Sequence, residues 1–126
     1  MVESPLSDQE REIINWVAEQ EDEMVALLER LTNINTGTLN KAGVTEVISL
    51  LNTELLQLGF DSRSLAGDVI DMPSCPGSEY TLDVADHLLA TKAGEGKRLL
   101  MIGHVDTVFP LDSPFQTFSR EGDIAY

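Results

Sequence analysis

Leu99-Leu100-Met101-Ile102 is the feature that most limits what this chain can become. Apolar residues in unbroken succession put side chains on both faces of an extended strand, because successive residues point to opposite sides. Both faces then need apolar cover, as in the buried strands of α/β proteins. The run leads directly into Gly103-His104-Val105-Asp106-Thr107, where polar chemistry begins. A strand of this kind belongs to a layered α/β domain, so the remaining sequence must supply the layers.

Helices are the first supply. Ser7-Asp8-Gln9-Glu10 fits a capping box, in which Ser and Glu side chains satisfy each other's free backbone N–H groups. Behind it Ile13, Ile14, Val17, Met24, Leu28 and Leu31 keep one helix face apolar over several turns. The opposite face carries Glu10, Glu12, Glu19, Glu21, Asp22, Glu23 and Glu29 and reads as solvated surface. Trp16 falls off the stripe, at its edge. Asn33-Ile34-Asn35-Thr36-Gly37-Thr38 is rich in turn formers and ends the helix. A second helix is predicted from about Thr45 to Gln57, with Val44, Val47, Ile48, Leu51, Leu55 and Leu58 as its apolar face and Gly59 as its stop.

Strands follow. Phe60 to Leu65 alternates weakly and is predicted to be extended, while Ala66 to Tyr80, with Gly67, Pro73, Pro76 and Gly77, reads as a loop. Asp86–Lys92 and Lys97–Ile102 are strand-like, and Ala93-Gly94-Glu95-Gly96 between them suits a hairpin turn. Two helices cover a doubly buried strand sparingly, and the sequence stops just after a strand-like start near Asp123. The chain therefore reads as the front part of a larger domain.

Charge narrows the partners. The 126 residues hold 22 acids against 8 Lys and Arg, a formal net charge of -14. Such a surface repels phosphate backbones and anionic headgroups, which argues against nucleic acid and membrane surfaces. Hydrophobic residues at 42% are enough for a core. The apolar runs are too short to span a bilayer, and no secretory signal is visible at the start. These features point to a cytoplasmic protein. A lone cysteine, Cys75, allows no intrachain disulfide and reads as an incidental thiol.

Chemistry gathers at His104 and Asp106. At a strand end, residues i and i+2 point the same way, so these two can face each other. A carboxylate that accepts one imidazole N–H fixes the tautomer and leaves the other nitrogen for a metal or a substrate proton. On spacing alone, His-x-Asp also fits a bland reading, in which both residues cap the following turn.

The longer string Leu99–Val108, with Gly103-His104-Val105-Asp106-Thr107 inside it, resembles the first metal-site motif of the zinc-dependent aminoacylase and carboxypeptidase superfamily. Leu31–Thr38, Ala42-Gly43-Val44 and Leu55–Phe60 upstream, and Ser113-Pro114-Phe115 and Glu121–Tyr126 downstream, resemble its glutamate carboxypeptidase branch. The resemblance implies the N-terminal portion, residues 1–126, of a three-layer α/β/α zinc-exopeptidase-like catalytic domain. It implies a hydrolase with two zinc ions that cleaves an amide bond next to a free carboxylate. The substrates would be small peptides, N-acyl amino acids or glutamate-like compounds.

By position in the motif, His104 would bind one zinc, and Asp106 would be the catalytic-site carboxylate that orients it. His87 lies where the family varies and is not read as a ligand. The bridging aspartate, the proton-shuttling glutamate, the remaining ligands and a smaller domain that mediates dimer contacts are expected beyond Tyr126. One ligand cannot hold a catalytic zinc, which uses about three protein ligands plus water, so the chain alone is expected to be inactive. Two other readings stand beside this one: a truncated, non-catalytic relative serving as a scaffold or binding module, and an acidic interaction domain built on the first helix.

Overall fold

The computed structural model of the chain describes residues 6–73 and 79–126, with backbone alone for 70–73 and 79–82. The described residues fall into two compact units, one ending at Asn33 and resuming over Phe118–Tyr126, the other Ile34–Thr117.

In the first unit the capping box forms. Ser7 N–H donates to Glu10 Oε2 at 2.7 Å and Glu10 N–H to Ser7 Oγ at 3.3 Å. The Ser7 hydroxyl, which donates to Glu10 Oε2 at 2.7 Å, and after it the Ser7 N–H hold the Glu10 carboxyl below its usual range. The helix they start is not continuous. It divides into α1 (Asp8–Glu19) and α2 (Glu21–Thr32) at Gln20, whose φ and ψ are -92° and 4°. The acidic run explains the break: it places Glu21, Asp22 and Glu23 in the first turn of α2, where the helix dipole favours carboxylates. In an unbroken helix Glu19 and Glu23 would repel at i,i+4.

The apolar stripe stays open. Neither helix has a buried residue, and Ile13, Trp16 and Leu28 keep about half or more of their surface. Strands β5 (Arg120–Glu121) and β6 (Ile124–Ala125) close the unit as a short antiparallel pair, with Glu121 opposite Ile124. Phe118 N–H donates to Asn33 Oδ1 at 2.9 Å.

In the second unit α3 (Lys41–Gln57) starts earlier than the Thr45 predicted. Asn40 supplies the reason: its side chain accepts from Gly43 N–H at 3.3 Å and caps the helix there. Val44 and Val47 are buried and Ile48, Leu51 and Leu55 half-buried, as the stripe required, but Leu58 is exposed at the cap. Gly59, at φ 78°, stops the helix; its N–H bonds Leu56 O and that of Phe60 bonds Leu55 O, a Schellman arrangement.

Strand β1 (Asp61–Leu65) pairs antiparallel with β4 (His87–Thr91), Arg63 opposite Leu89, and α3 packs on both. Between them in sequence, β2 (Val69–Pro73) and β3 (Glu79–Asp83) form a separate antiparallel pair where a loop was predicted. The predicted hairpin of 86–92 with 97–102 does not form. Its first arm is β4, which takes β1 as partner, and Lys97–Ile102 lies in no strand. Leu99 and Ile102 are 84% and 87% exposed. A doubly buried strand needs an apolar layer on each side, and within this unit α3 is engaged by β1 and β4. The described architecture is thus helices with small antiparallel sheets, compatible with the α/β class.

Candidate functional site

His104 and Asp106 meet as their spacing predicted, although no strand carries them. His104 Nδ1 lies 3.1 Å from Asp106 Oδ1 and 3.0 Å from the Asp106 carbonyl oxygen. Both neighbours can only accept, so Nδ1 must be the protonated nitrogen of the neutral ring, and Nε2 keeps its lone pair. The His104 side chain is 85% exposed and that of Asp106 39%.

A second segment holds the carboxylate. Thr38 Oγ1 donates to Asp106 Oδ2 at 2.8 Å. This hydroxyl is the main cause holding the Asp106 carboxyl below its usual range; slight desolvation opposes it, and the bond with His104 adds to it. The backbone aligns the two segments. Thr107 N–H donates to Thr36 O at 2.8 Å and Thr38 N–H to Thr107 O at 3.0 Å, a parallel bridge between Gly37 and Thr107.

Asn35 fastens the rest of the loop. Its Nδ2 reaches Phe109 O at 3.0 Å and Gln116 Oε1 at 3.0 Å, while its Oδ1 accepts from Gly37 N–H at 3.1 Å. Asn40, the α3 cap, donates to Asn35 O at 2.7 Å and so ties the turn to the helix. Gly37 permits the close approach: a Cβ there would lie 2.4 Å from Phe109 O. Phe109 stacks obliquely on Phe115, ring centres 4.9 Å apart.

His87 stands exposed at the start of β4 opposite Leu65. Cys75 lies outside the described residues. Among the described residues no three His, Cys, Asp or Glu side chains gather as a metal-binding group. A cavity of about 400 Å³ lies elsewhere, between α3 and the β1–β4 pair, lined by Lys41, Asn52, Ser62, Arg63 and Asp86 among others. No helix among the described residues is long and apolar enough to cross a membrane.

Sequence reasoning missed Thr36, Thr38 and Asn35 as parts of this site. The signal was present in a turn made of hydrogen-bonding side chains, Asn35-Thr36-Gly37-Thr38, but a helix terminator accounted for it equally well. Thr36, a polar side chain, is buried.

No family model matches the chain, and no solved structure matches it. Among curated proteins it is similar to carboxypeptidase G2 of Pseudomonas sp. (strain RS-16), with 31% identity over 114 residues. The alignment covers 86% of this chain and 24% of that protein, so the chain spans about a quarter of the relative it matches. The likeness supports a relationship to carboxypeptidases at most.

Proposed function

We propose that this chain is the N-terminal portion of the catalytic domain of a zinc-dependent carboxypeptidase-type hydrolase. The observation that carries the reading is the contact between His104 Nδ1 and the Asp106 carboxylate at 3.1 Å. It prepares an imidazole with its tautomer set and Nε2 open, the usual outer support of a metal-bound histidine. The likeness to a carboxypeptidase supports the reaction class. On this reading His104 is a zinc ligand and Asp106 orients it and raises its basicity. The substrate carries an amide bond next to a free carboxylate, as in N-acyl amino acids and glutamate-like small peptides.

The donor set supplies one corner of a zinc site and no more. A catalytic zinc takes about three protein ligands plus water, and the described residues offer no group of three. They do not hold the ion by themselves, and the hydrolytic step is not theirs alone. The reading therefore has a longer polypeptide completing both the three-layer α/β/α domain and a two-zinc site. It also has a smaller dimerising domain in that polypeptide, and the enzyme in the cytoplasm.

The test uses the polypeptide as its native source makes it. His104→Ala is expected to lower bound zinc and abolish hydrolysis of N-acyl glutamates. Asp106→Ala should keep the fold and weaken zinc binding by roughly 10–100-fold. Undiminished zinc and turnover in H104A overturn the reading, as does a native polypeptide that binds no zinc and hydrolyses no such substrate.

A further inference from the structure

We propose that Thr38 is a positioning residue for the His104–Asp106 pair, its hydroxyl clamping one carboxylate oxygen so that the other stays turned to the imidazole. The proposal rests on the reading of His104 and Asp106 given above and extends it to a residue 68 positions away in sequence.

The geometry divides the carboxylate between two partners. Oδ2 accepts from Thr38 Oγ1 at 2.8 Å, and Oδ1 faces His104 Nδ1 at 3.1 Å. Thr38 Oγ1 also lies 3.2 Å from Thr107 O, yet a hydroxyl has one proton to give. The shorter contact to a charged acceptor takes it, because charge-assisted bonds are roughly twice as strong as neutral ones.

Exposure makes the clamp necessary. With side chains 85% and 39% exposed, His104 and Asp106 have water available on every open side. An unclamped carboxylate there would rotate freely about its side-chain torsions. Thr38 itself is fixed, since its N–H is bonded to Thr107 O and its neighbour Gly37 lies against Phe109 O. Rigidity thus passes from the bonded backbone to the hydroxyl, from the hydroxyl to Asp106, and from Asp106 to the ring. The Asp106 carbonyl, 3.0 Å from Nδ1, is a second acceptor on the ring but cannot adjust with the carboxylate.

The experiment reads the His104 tautomer directly, by side-chain ¹⁵N shifts of the metal-free protein at about pH 8.5, above the ordinary imidazole range. T38V keeps the β-branched shape and removes the donor; T38S keeps the donor. The wild-type protein and T38S are expected to hold the proton on Nδ1, while T38V moves a measurable share of it to Nε2. Exchange of the Thr107 amide monitors the turn.

If T38V retains the wild-type tautomer, or if T38S loses it, the proposal is overturned. Should T38V also open the turn, T38S alone decides, because the hydroxyl is then the only feature it shares with the wild type at that side chain's tip. Zinc affinity of the native polypeptide gives a separate reading, with T38V about 10-fold weaker and T38S unchanged. A tautomer that follows the hydroxyl in a protein that never binds zinc would sink the metal reading and leave Thr38 standing. Zinc binding indifferent to T38V would do the reverse.

Discussion

Two neighbouring stretches of the second unit meet opposite fates. Asp106 to Pro110 is fastened to Asn35–Thr38 by backbone and side-chain hydrogen bonds, with Thr36 buried beside it. Leu99 to Ile102, a few residues earlier, is 77% to 87% exposed and belongs to no strand. The difference lies in what each kind of residue needs. A hydrogen bond is completed by one correctly placed partner, and the four-residue turn Asn35–Thr38 supplies several. An apolar strand gains about 25 cal/mol for each Å² taken from water, which requires whole layers.

The sharpest way to break the fastened half is Gly37→Ala. The new Cβ would lie 2.4 Å from Phe109 O, a backbone atom that cannot swing aside. We expect a loss of about 1–3 kcal/mol from the forced shift, measured by denaturant unfolding, with faster exchange of the Thr38 and Thr107 amides. Asn35→Ala should come next. It removes the donor to Phe109 O and Gln116 Oε1, at roughly 1 kcal/mol for each bond lost. If that variant unfolds at the wild-type midpoint, Asn35 does not fasten the loop.

Leu100→Asn probes the other half. In the 126-residue chain it should change stability by no more than about 0.5 kcal/mol, the usual range for a surface position. A loss of 2 kcal/mol or more, on the scale of core truncations, would show that the run is covered in solution and erase the contrast.

The smallest effect concerns the β1–β4 corner, where the Asp86 carboxyl is held below its usual range first by the Ser64 hydroxyl and then by Gly67 N–H. A carboxylate lowered by folding adds stability that is complete above its unfolded pKa, about 4. That stability is lost as pH falls from there through the lower folded value. Asp86→Asn should flatten this part of the acid limb of the unfolding midpoint and leave the rest of the profile alone.

Legibility followed sequence distance. The Ser7–Glu10 box, the α3 stripe as far as Leu55 and the Gly59 stop are set by residues close together in sequence, and each stands as read. The α3 start was misplaced because the cap, Asn40, lies outside the apolar stripe. Strand β4 was legible and its partner was not. Ala93–Gly96 offered a nearby turn, whereas β1 lies beyond an intervening pair of strands. At the site, His104 and Asp106 are two residues apart and were found together. Thr38 reaches Asp106 across 68 positions, and no periodicity or local spacing reports such a contact.

That separation also carries an entropic cost. Closing a loop of about 70 residues costs on the order of (3/2)RT ln n, close to 4 kcal/mol, before Thr38 and Asp106 gain anything from meeting. The turn bearing Thr38 hangs on the α3 cap through Asn40 and Asn35, so one side of this closure is presented by a helix end. The orientation of the imidazole is therefore expected to depend on the α3 cap behind it as well as on its own neighbours.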